Sequence, residues 1–151
     1  MQQSKNAFTM LEVVFVIVII GILSAIAIPK FAVTRQDAQI AKARADIASI
    51  RSAIVTERQS RLIQGDSNWT AGLDTSFTIL FNGDDGNESH STLLMYGIAP
   101  GYSSGQWSAT DSTHYTFHIS SIDVNFTYSE GIFTCTTGTD TAGEMCKKLI
   151  N

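Results

Sequence analysis

Glu12 is the residue of this chain with the most evident chemical role. It is a carboxylate inside an apolar run that extends from residue 8 to residue 29. Such a run is long enough to cross a bilayer, which takes about 20 residues. A charged side chain within a membrane span costs roughly 2.5–3.5 kcal/mol on insertion scales, so it is normally retained for a function and with a partner. The position therefore predicts a functional carboxylate with a partner group.

A short polar stretch, residues 1–7, precedes the apolar run, carries Lys5 and ends in the small residue Ala7. A secretory signal peptide has its small-residue cleavage site after the apolar region, not before it. Over roughly the first 30 residues, this order resembles the class III leader of type IV pilins and type II secretion pseudopilins. The family usually has Gly where Ala7 stands; because Ala is the next smallest side chain, we expect processing to survive. The matching residues are Ala7, Phe8, Thr9, Glu12, Gly21 and Pro29.

The resemblance implies that a prepilin peptidase cleaves between Ala7 and Phe8 and methylates the new amino group of Phe8. It also implies that Glu12, with Thr9 near it, acts in filament assembly by pairing with the amino group of Phe8 of a neighbouring subunit. Two charges that are costly to bury singly become tolerable together in a low-dielectric bundle. The alternative is a Glu12 close enough to the membrane surface to stay hydrated.

One long helix is expected to position these residues. The transmembrane and assembly helix covers 8–29 and continues as an amphipathic helix over 30–64, with Gly65 as its stop. Pro29 removes a backbone donor and Gly21 is a second weak point, so we expect a kink. The resemblance implies, as a hypothesis, that this segment can lose helicity in assembled pili. The apolar positions beyond Pro29 form one helical stripe of Val33, Ile40, Ala43, Ile47, Ile50 and Ile54.

Residues 65–151 predict a globular, β-rich region. The run 77–81 is interpreted as a strand or a short buried helix, and 92–96 as a brief helix or turn. An antiparallel sheet with one apolar face needs a cover, and the helical stripe supplies it. The predicted fold is therefore α+β, a long N-terminal helix packed on a small antiparallel sheet, as in pilins. Alternating apolar residues predict strands at 114–119, 124–128 and 132–135.

Two cysteines, Cys135 and Cys146, lie near the C-terminus. An even cysteine count in an exported chain is typical of a disulfide. Closing this short loop contributes about 2–3 kcal/mol in the chain-entropy model. The alternative, a metal pair, lacks companion ligands at zinc spacing. We therefore predict a disulfide-bound C-terminal loop, and neither a metal nor a cofactor.

Three triplets match the acceptor pattern for N-glycosylation, at Asn68, Asn87 and Asn125. Each has an Asp two residues before its Asn, a pattern similar to the acceptor of a bacterial oligosaccharyltransferase. Against this, Asp-rich turns naturally contain Asn and Ser. Glycosylation of at least one site, in a host that has such an enzyme, and unmodified Asp-rich turns are therefore both left open.

Other patterns that suggest chemistry have simpler interpretations. Residues 101–105 fit G-x-S-x-G, but the hydrolase elbow needs a preceding strand and a following helix, whereas here proline precedes the motif. The acidic loop 82–88 lacks the full calcium-loop pattern and is interpreted as a solvated turn. His114 and His118 can share a strand face, but without a third ligand we interpret them as ordinary sheet residues.

Charge is distributed unevenly along the chain. Residues 30–61 hold seven basic and three acidic residues, a net +4, whereas residues 62–151 hold two basic and ten acidic residues, a net −8. This pattern fits either a dipolar subunit that associates with copies of itself or a solvated helix attached to an acidic domain. Duplex DNA readout is not indicated, because the basic residues are dispersed around a helix and the region after it is acidic.

The resemblance implies a minor pilin or pseudopilin of a Gram-negative bacterium, a structural subunit and not an enzyme. Such a subunit is expected to wait in the inner membrane with its globular part in the periplasm and then to be assembled into a helical filament. The partners implied are like subunits, the prepilin peptidase, and an inner-membrane platform with its ATPase. The alternative is a periplasmic binding or enzymatic domain on an uncleaved membrane anchor.

Overall fold

The computed structural model describes residues 8–74, 76–83 and 93–151, with the backbone alone at Pro29, Ala32 and Val33. The chain divides into two compact units, one up to Asp37 and one from Ala38 onward. The α+β class predicted from the sequence is confirmed. The elements, in chain order, are α1 (Met10–Ile63), β1 (Trp107–Ala109), β2 (His114–Ile119), β3 (Ile122–Ser129), β4 (Ile132–Cys135) and α2 (Thr141–Ile150).

The first part of α1 is the apolar segment. Residues Met10–Ile28 have a mean hydropathy of 3.0, and none of this window is buried. At 1.5 Å per residue these 19 residues extend about 28 Å, close to the roughly 30 Å thickness of a hydrocarbon core. The helix continues through Gly21 and Pro29, and a kink there stays a prediction.

The second part of α1 contributes the predicted apolar stripe to a core. Ala43, Ile47, Ile50 and Ile54 are buried, and Ile40 packs against them at the margin. The spacing of three and four residues that indicated the stripe therefore identified the buried face correctly. The side chain of Val33 lies outside the described part of the structure.

The predicted stop at Gly65 is also correct. Its φ is +87°, in the left-handed region. The Asp66 N–H donates to the Arg61 carbonyl (2.9 Å), and the Gly65 N–H donates to the Leu62 carbonyl (3.1 Å). These two bonds are those of a Schellman motif, which satisfies the last helical carbonyls.

The sheet is an antiparallel meander in the order β1-β2-β3-β4. Strands β2 and β4 have the predicted bounds, and β3 is longer than the predicted 124–128. The β3–β4 turn has positive φ at Glu130 (46°) and Gly131 (85°), the combination that fits the twist of a hairpin. The core face of β2 and β3 carries Tyr115, Phe117, Ile119, Val124, Phe126 and Tyr128.

Two elements were not predicted. Strand β1 has three residues, too few for an alternating pattern to be recognised. The C-terminal segment, expected to be a disulfide-bound loop, is instead helix α2, which buries Met145, Cys146 and Leu149. Asp140 caps this helix by accepting a hydrogen bond from the Gly143 N–H at 3.1 Å.

The prediction for the run 77–81 is corrected by the structure, whereas of the two alternatives for 92–96 only the helix is ruled out for the described residues. Residues 77–81 form neither a strand nor a helix but turns, with one isolated bridge between Leu80 and Ile98. Phe81 takes a φ of 60°, and its N–H donates to the carboxylate of Asp74. Phe81 thus enters the core from a turn and stacks on Tyr115, with ring centroids 4.5 Å apart. Residues 93–96 are bends rather than a helix, and residue 92 lies outside the described ranges.

Three basic side chains of α1 donate hydrogen bonds to main-chain carbonyls of the region that follows. The Lys148 carbonyl is one of the last four of α2, which have no partner within that helix and carry partial negative charge. Three of the positively charged side chains of α1 therefore have hydrogen-bond partners within the chain. The bonds join Lys42 Nζ to Gly105 O (2.6 Å), Arg44 Nε to Lys148 O (2.7 Å) and Arg51 Nε to Phe133 O (3.0 Å).

Candidate assembly site at the start of the long helix

Thr9 caps the start of α1. The Glu12 N–H donates to Thr9 Oγ1 at 3.2 Å, and the Val13 N–H donates to the Thr9 carbonyl at 3.3 Å. Thr9 and Glu12 therefore occupy the first and fourth positions of a capping-box sequence, T-x-x-E, with the threonine half of the box formed. The cap is a role of Thr9 that was not predicted from the sequence, although the four-residue spacing of threonine and glutamate is its usual signal.

The carboxylate of Glu12 is solvent-accessible in the first turn of α1. The partial positive charge of a helix N-terminus favours a carboxylate there. Within residues 8–74, 76–83 and 93–151, no side chain forms an ion pair or a hydrogen bond with it. A partner that neutralises this group inside a membrane must therefore come from elsewhere.

The helix surface around Glu12 is apolar and uncovered. Every large apolar side chain between Val13 and Ile28 is at least 40% exposed. Continuous apolar surface on this scale marks an interaction with lipid or with other protein. The segment can accordingly be covered by a bilayer, by neighbouring helices, or by each in turn.

Residues 2–28 match the family model described as the prokaryotic N-terminal methylation motif. This is a prepilin-type signal. The resemblance to type IV pilins and pseudopilins inferred from the sequence is thereby confirmed, and the match indicates a pilin-type precursor of structural character. No curated protein and no solved structure matches the chain.

The residues of the prepilin-type signal occupy distinct positions in the structure. Phe8 and Thr9 precede the helix, and Phe8 is 79% exposed. Ala7, on the other side of the predicted cleavage point, lies outside the described residues. The side chain of Phe8 is therefore accessible from outside the chain.

The cysteines lie where the predicted disulfide requires them. Cys135 in β4 and Cys146 in α2 are joined, with their Cα atoms 5.9 Å apart, and both are buried. The bridge ties α2 to the last strand of the sheet. Its position at the end of the core, far along the chain from the prepilin-type signal, indicates a structural role.

The candidate glycosylation sites are in different environments. Asn68 is exposed in a loop, where its Nδ2 donates to Asp66 Oδ1 at 3.0 Å. The backbone N–H of Asn68 also donates to Asp66, and this bond is the main cause that lowers the pKa of the Asp66 carboxyl. The hydroxyl of Thr70, which the acceptor triplet needs, is turned inward to the Gly72 carbonyl at 2.8 Å. Asn87 lies outside the described residues.

Asn125 is on the outer face of β3, with Thr127, as the alternation predicted. It stands opposite Thr116 in the register, whose hydroxyl donates to Asn125 Oδ1 at 2.9 Å. A peptide held in the middle of a sheet cannot adopt a new conformation without breaking ladder bonds. The backbone at Asn68, in a loop, is thus less constrained than the backbone at Asn125.

His118 lies in an unpredicted row of polar side chains across β1, β2 and β3. Its Nε2 is 2.9 Å from Ser108 Oγ, and its Nδ1 is 2.6 Å from Asp123 Oδ1. Serine, histidine and aspartate thus follow the hydrogen-bond order of a catalytic triad. However, Ser108 and His118 are only 7% and 9% exposed, so a substrate has no direct approach to the hydroxyl. We interpret the row as a polar network that links three strands.

His114 is separate from this row and pairs with Asp111 at 2.9 Å. The G-x-S-x-G segment, 101–105, is a loop, as predicted. In the part of the chain that the structure describes, no group of three or more His, Cys, Asp or Glu side chains could hold a metal ion. Residues 84–88 of the acidic loop lie outside that part.

Proposed function

We propose that the chain is a structural subunit, a minor pilin or pseudopilin, of a type IV pilus or a type II secretion pseudopilus. The observation that carries the proposal is the prepilin-type signal at residues 2–28. Its described part is an uncovered apolar helix, capped by Thr9, with Glu12 in the first turn. A tethered enzyme or receptor needs the apolar length but has no use for the carboxylate within it.

The proposed sequence of events begins with the precursor in the inner membrane and its globular part in the periplasm. Prepilin peptidase cleaves between Ala7 and Phe8 and methylates the Phe8 amino group. Cleavage creates a cation at the same end of the helix as Glu12. The inner-membrane platform and its ATPase then move the subunit from the lipid into the filament.

Assembly brings the Glu12 carboxylate against the Phe8 amino group of a neighbouring subunit. Each charge alone is costly in an apolar bundle, whereas the pair neutralises both, and a wrong axial register leaves both unpaired. Because the two groups belong to different surfaces, the contact is heterologous. A heterologous contact that does not close on itself produces a helical filament.

The test uses Glu12→Gln and Glu12→Ala in the native host, with Asp37→Ala as the control. Both Glu12 variants keep the cap, since Thr9 binds the backbone N–H of residue 12. Asp37→Ala removes an equal charge outside the apolar segment. We expect all three proteins to insert and to lose the leader, and only the Glu12 variants to be missing from sheared filaments.

N-terminal sequencing of the wild-type protein tests the earlier step. A mature chain that begins at methylated Phe8 supports the proposal. A chain retained at Met1, together with absence from filaments, would indicate the tethered periplasmic domain instead. Normal filaments from Glu12→Ala would refute the assembly role of the carboxylate while leaving cleavage intact.

A further inference from the structure

A cleft opens on the globular region between the loop 67–71 and the β3–β4 turn. Its volume is about 470 Å³, and it is lined by residues 67–71 and 128–130 together with Thr113. This volume is within the range of small-molecule sites, about 300–1,000 Å³. The cleft uses neither the prepilin-type signal nor the apolar part of α1, so it is independent of the proposed filament role.

Trp69 forms one side of the cleft. It is 38% exposed, whereas Trp107, the other tryptophan of the chain, is fully buried. The Arg58 guanidinium lies 4.8 Å from the centroid of the Trp69 ring. Gly131 approaches the ring so closely that a Cβ atom there would be 2.6 Å from it. The indole is therefore held in place by its contacts with Arg58 and Gly131, while part of its surface stays exposed to solvent.

Several polar groups in the cleft are unused within the chain. The side chains of Ser67, Ser129 and Glu130 form no hydrogen bond with any residue that the structure describes. Two hydroxyls and a carboxylate thus remain for a ligand. By contrast, the Tyr128 hydroxyl is turned inward and donates to the Thr70 carbonyl at 3.1 Å.

Charge restricts the class of ligand. Glu130 is the one charged residue among those that line the cleft, so an anionic ligand is repelled. A cationic ligand is repelled by the Arg58 guanidinium, which already lies in a cation–π position 4.8 Å from the centroid of the Trp69 ring. The remaining class is neutral and rich in hydroxyl groups, with an apolar face to lie on the indole.

We propose that this cleft binds a neutral saccharide. One face of a pyranose ring carries C–H groups, which suit the electron-rich face of an indole. The hydroxyl groups around the ring can donate to the Glu130 carboxylate and exchange hydrogen bonds with Ser67 and Ser129. A rigid aromatic platform with a few placed polar groups is the general plan of a small-ligand site.

The experiment titrates the unglycosylated full-length chain, produced in a host without an oligosaccharyltransferase, with lactose, cellobiose and N,N′-diacetylchitobiose. The micelles are of lauryldimethylamine oxide, because maltoside detergents would present sugars themselves. Binding is measured by tryptophan fluorescence and by saturation-transfer NMR of the sugar. We expect a saturable response to at least one neutral sugar, with a Kd on the order of 1 mM, and none to N-acetylneuraminic acid.

Three variants test whether the sugar binds in this cleft. Trp69→Ala and Glu130→Gln should each weaken binding about tenfold, since a stacked ring and a charged acceptor are both strong contacts. Tyr102→Ala, which removes an aromatic residue that is 82% exposed outside the cleft, should leave binding unchanged. Near-UV circular dichroism of each variant checks that the aromatic core is intact.

The proposal is overturned if none of the three neutral sugars produces a saturable NMR signal with the wild-type chain. It is also overturned if Tyr102→Ala weakens binding as much as Trp69→Ala, or if the sialic acid binds as well as the neutral sugars. None of these outcomes bears on filament assembly, which is read from the Glu12 variants.

Discussion

Gly131→Ala should destabilise the globular region by more than its backbone conformation alone requires. Gly131 has a φ of +85°, in the left-handed region, which costs a residue with a Cβ roughly 1–2 kcal/mol. The new Cβ would also stand 2.6–2.7 Å from three carbon atoms of the Trp69 ring. Overpacking of this kind typically adds about 1–3 kcal/mol. The expected total is therefore about 2–5 kcal/mol.

Gly65→Ala is the matched control. Its φ is +87°, and a Cβ there meets nothing within 4 Å, so it reports the backbone cost alone. With a urea slope of about 1–3 kcal/mol per molar, the two variants should differ by roughly 1 M in their unfolding midpoints. Full-length protein in zwitterionic micelles, followed by near-UV circular dichroism, gives both midpoints.

The double variant Gly131→Ala/Trp69→Ala separates the two contributions. Removing the indole should relieve the steric part and leave a coupling of about 1 kcal/mol or more. Equal midpoints for Gly131→Ala and Gly65→Ala, with no coupling to Trp69, would refute the proposed contact between the β3–β4 turn and the indole.

Three further predictions concern stability. Asp140→Ala removes the cap of α2 and should cost about 1 kcal/mol, seen as a lower urea midpoint, whereas Asp140→Asn should keep most of it. Replacing Cys135 and Cys146 together with serine should cost about 2–3 kcal/mol; an unchanged midpoint would show that the bridge does not constrain the unfolded chain. The pKa of Asp66 is lowered from 3.8, so its contribution is present above that value and is lost as the pH falls through the lower folded pKa. Asp66→Asn should therefore flatten the acid side of a midpoint-against-pH curve, and an unaltered curve would contradict this assignment.

The parts of the fold that were predicted correctly are those in which local pattern and tertiary burial agree. The apolar residues of β2 and β4 recur with a period of two, and Ile47, Ile50 and Ile54 recur with the helical period. Their buried faces could therefore be predicted from the sequence. Phe81 shows the opposite case. It belongs to an apolar run, but a buried contact with Asp74 places it in a left-handed turn, and no local pattern carries that information.

The C-terminal helix was missed for a different reason. Its two ends were marked, by Asp140 before it and by the adjacent Lys147 and Lys148 in its last turn. The expectation of a disulfide-bound loop outweighed those signals. A disulfide fixes the separation of two residues but not the secondary structure between them.

The two candidate sites also differ in whether a local sequence pattern could predict them. Glu12 was identified as a carboxylate inside an apolar run and Thr9 by the resemblance to a prepilin leader, both of which are local features of the sequence. The cleft joins residues near 68 to residues near 130, which approach each other only after the sheet has formed. Such a site depends on contacts distant along the chain, so the sequence pattern could not predict it.

The hydrogen bonds from Lys42, Arg44 and Arg51 end on peptide oxygens rather than on side chains. A peptide oxygen is present whatever amino acid occupies the position. Substitutions at residues 105, 133 and 148 that preserve the local conformation therefore leave the acceptors in place. The three hydrogen bonds therefore do not depend on the side chains of the residues that accept them. The sequence of this surface can accordingly change while its hydrogen bonds to the helix are kept.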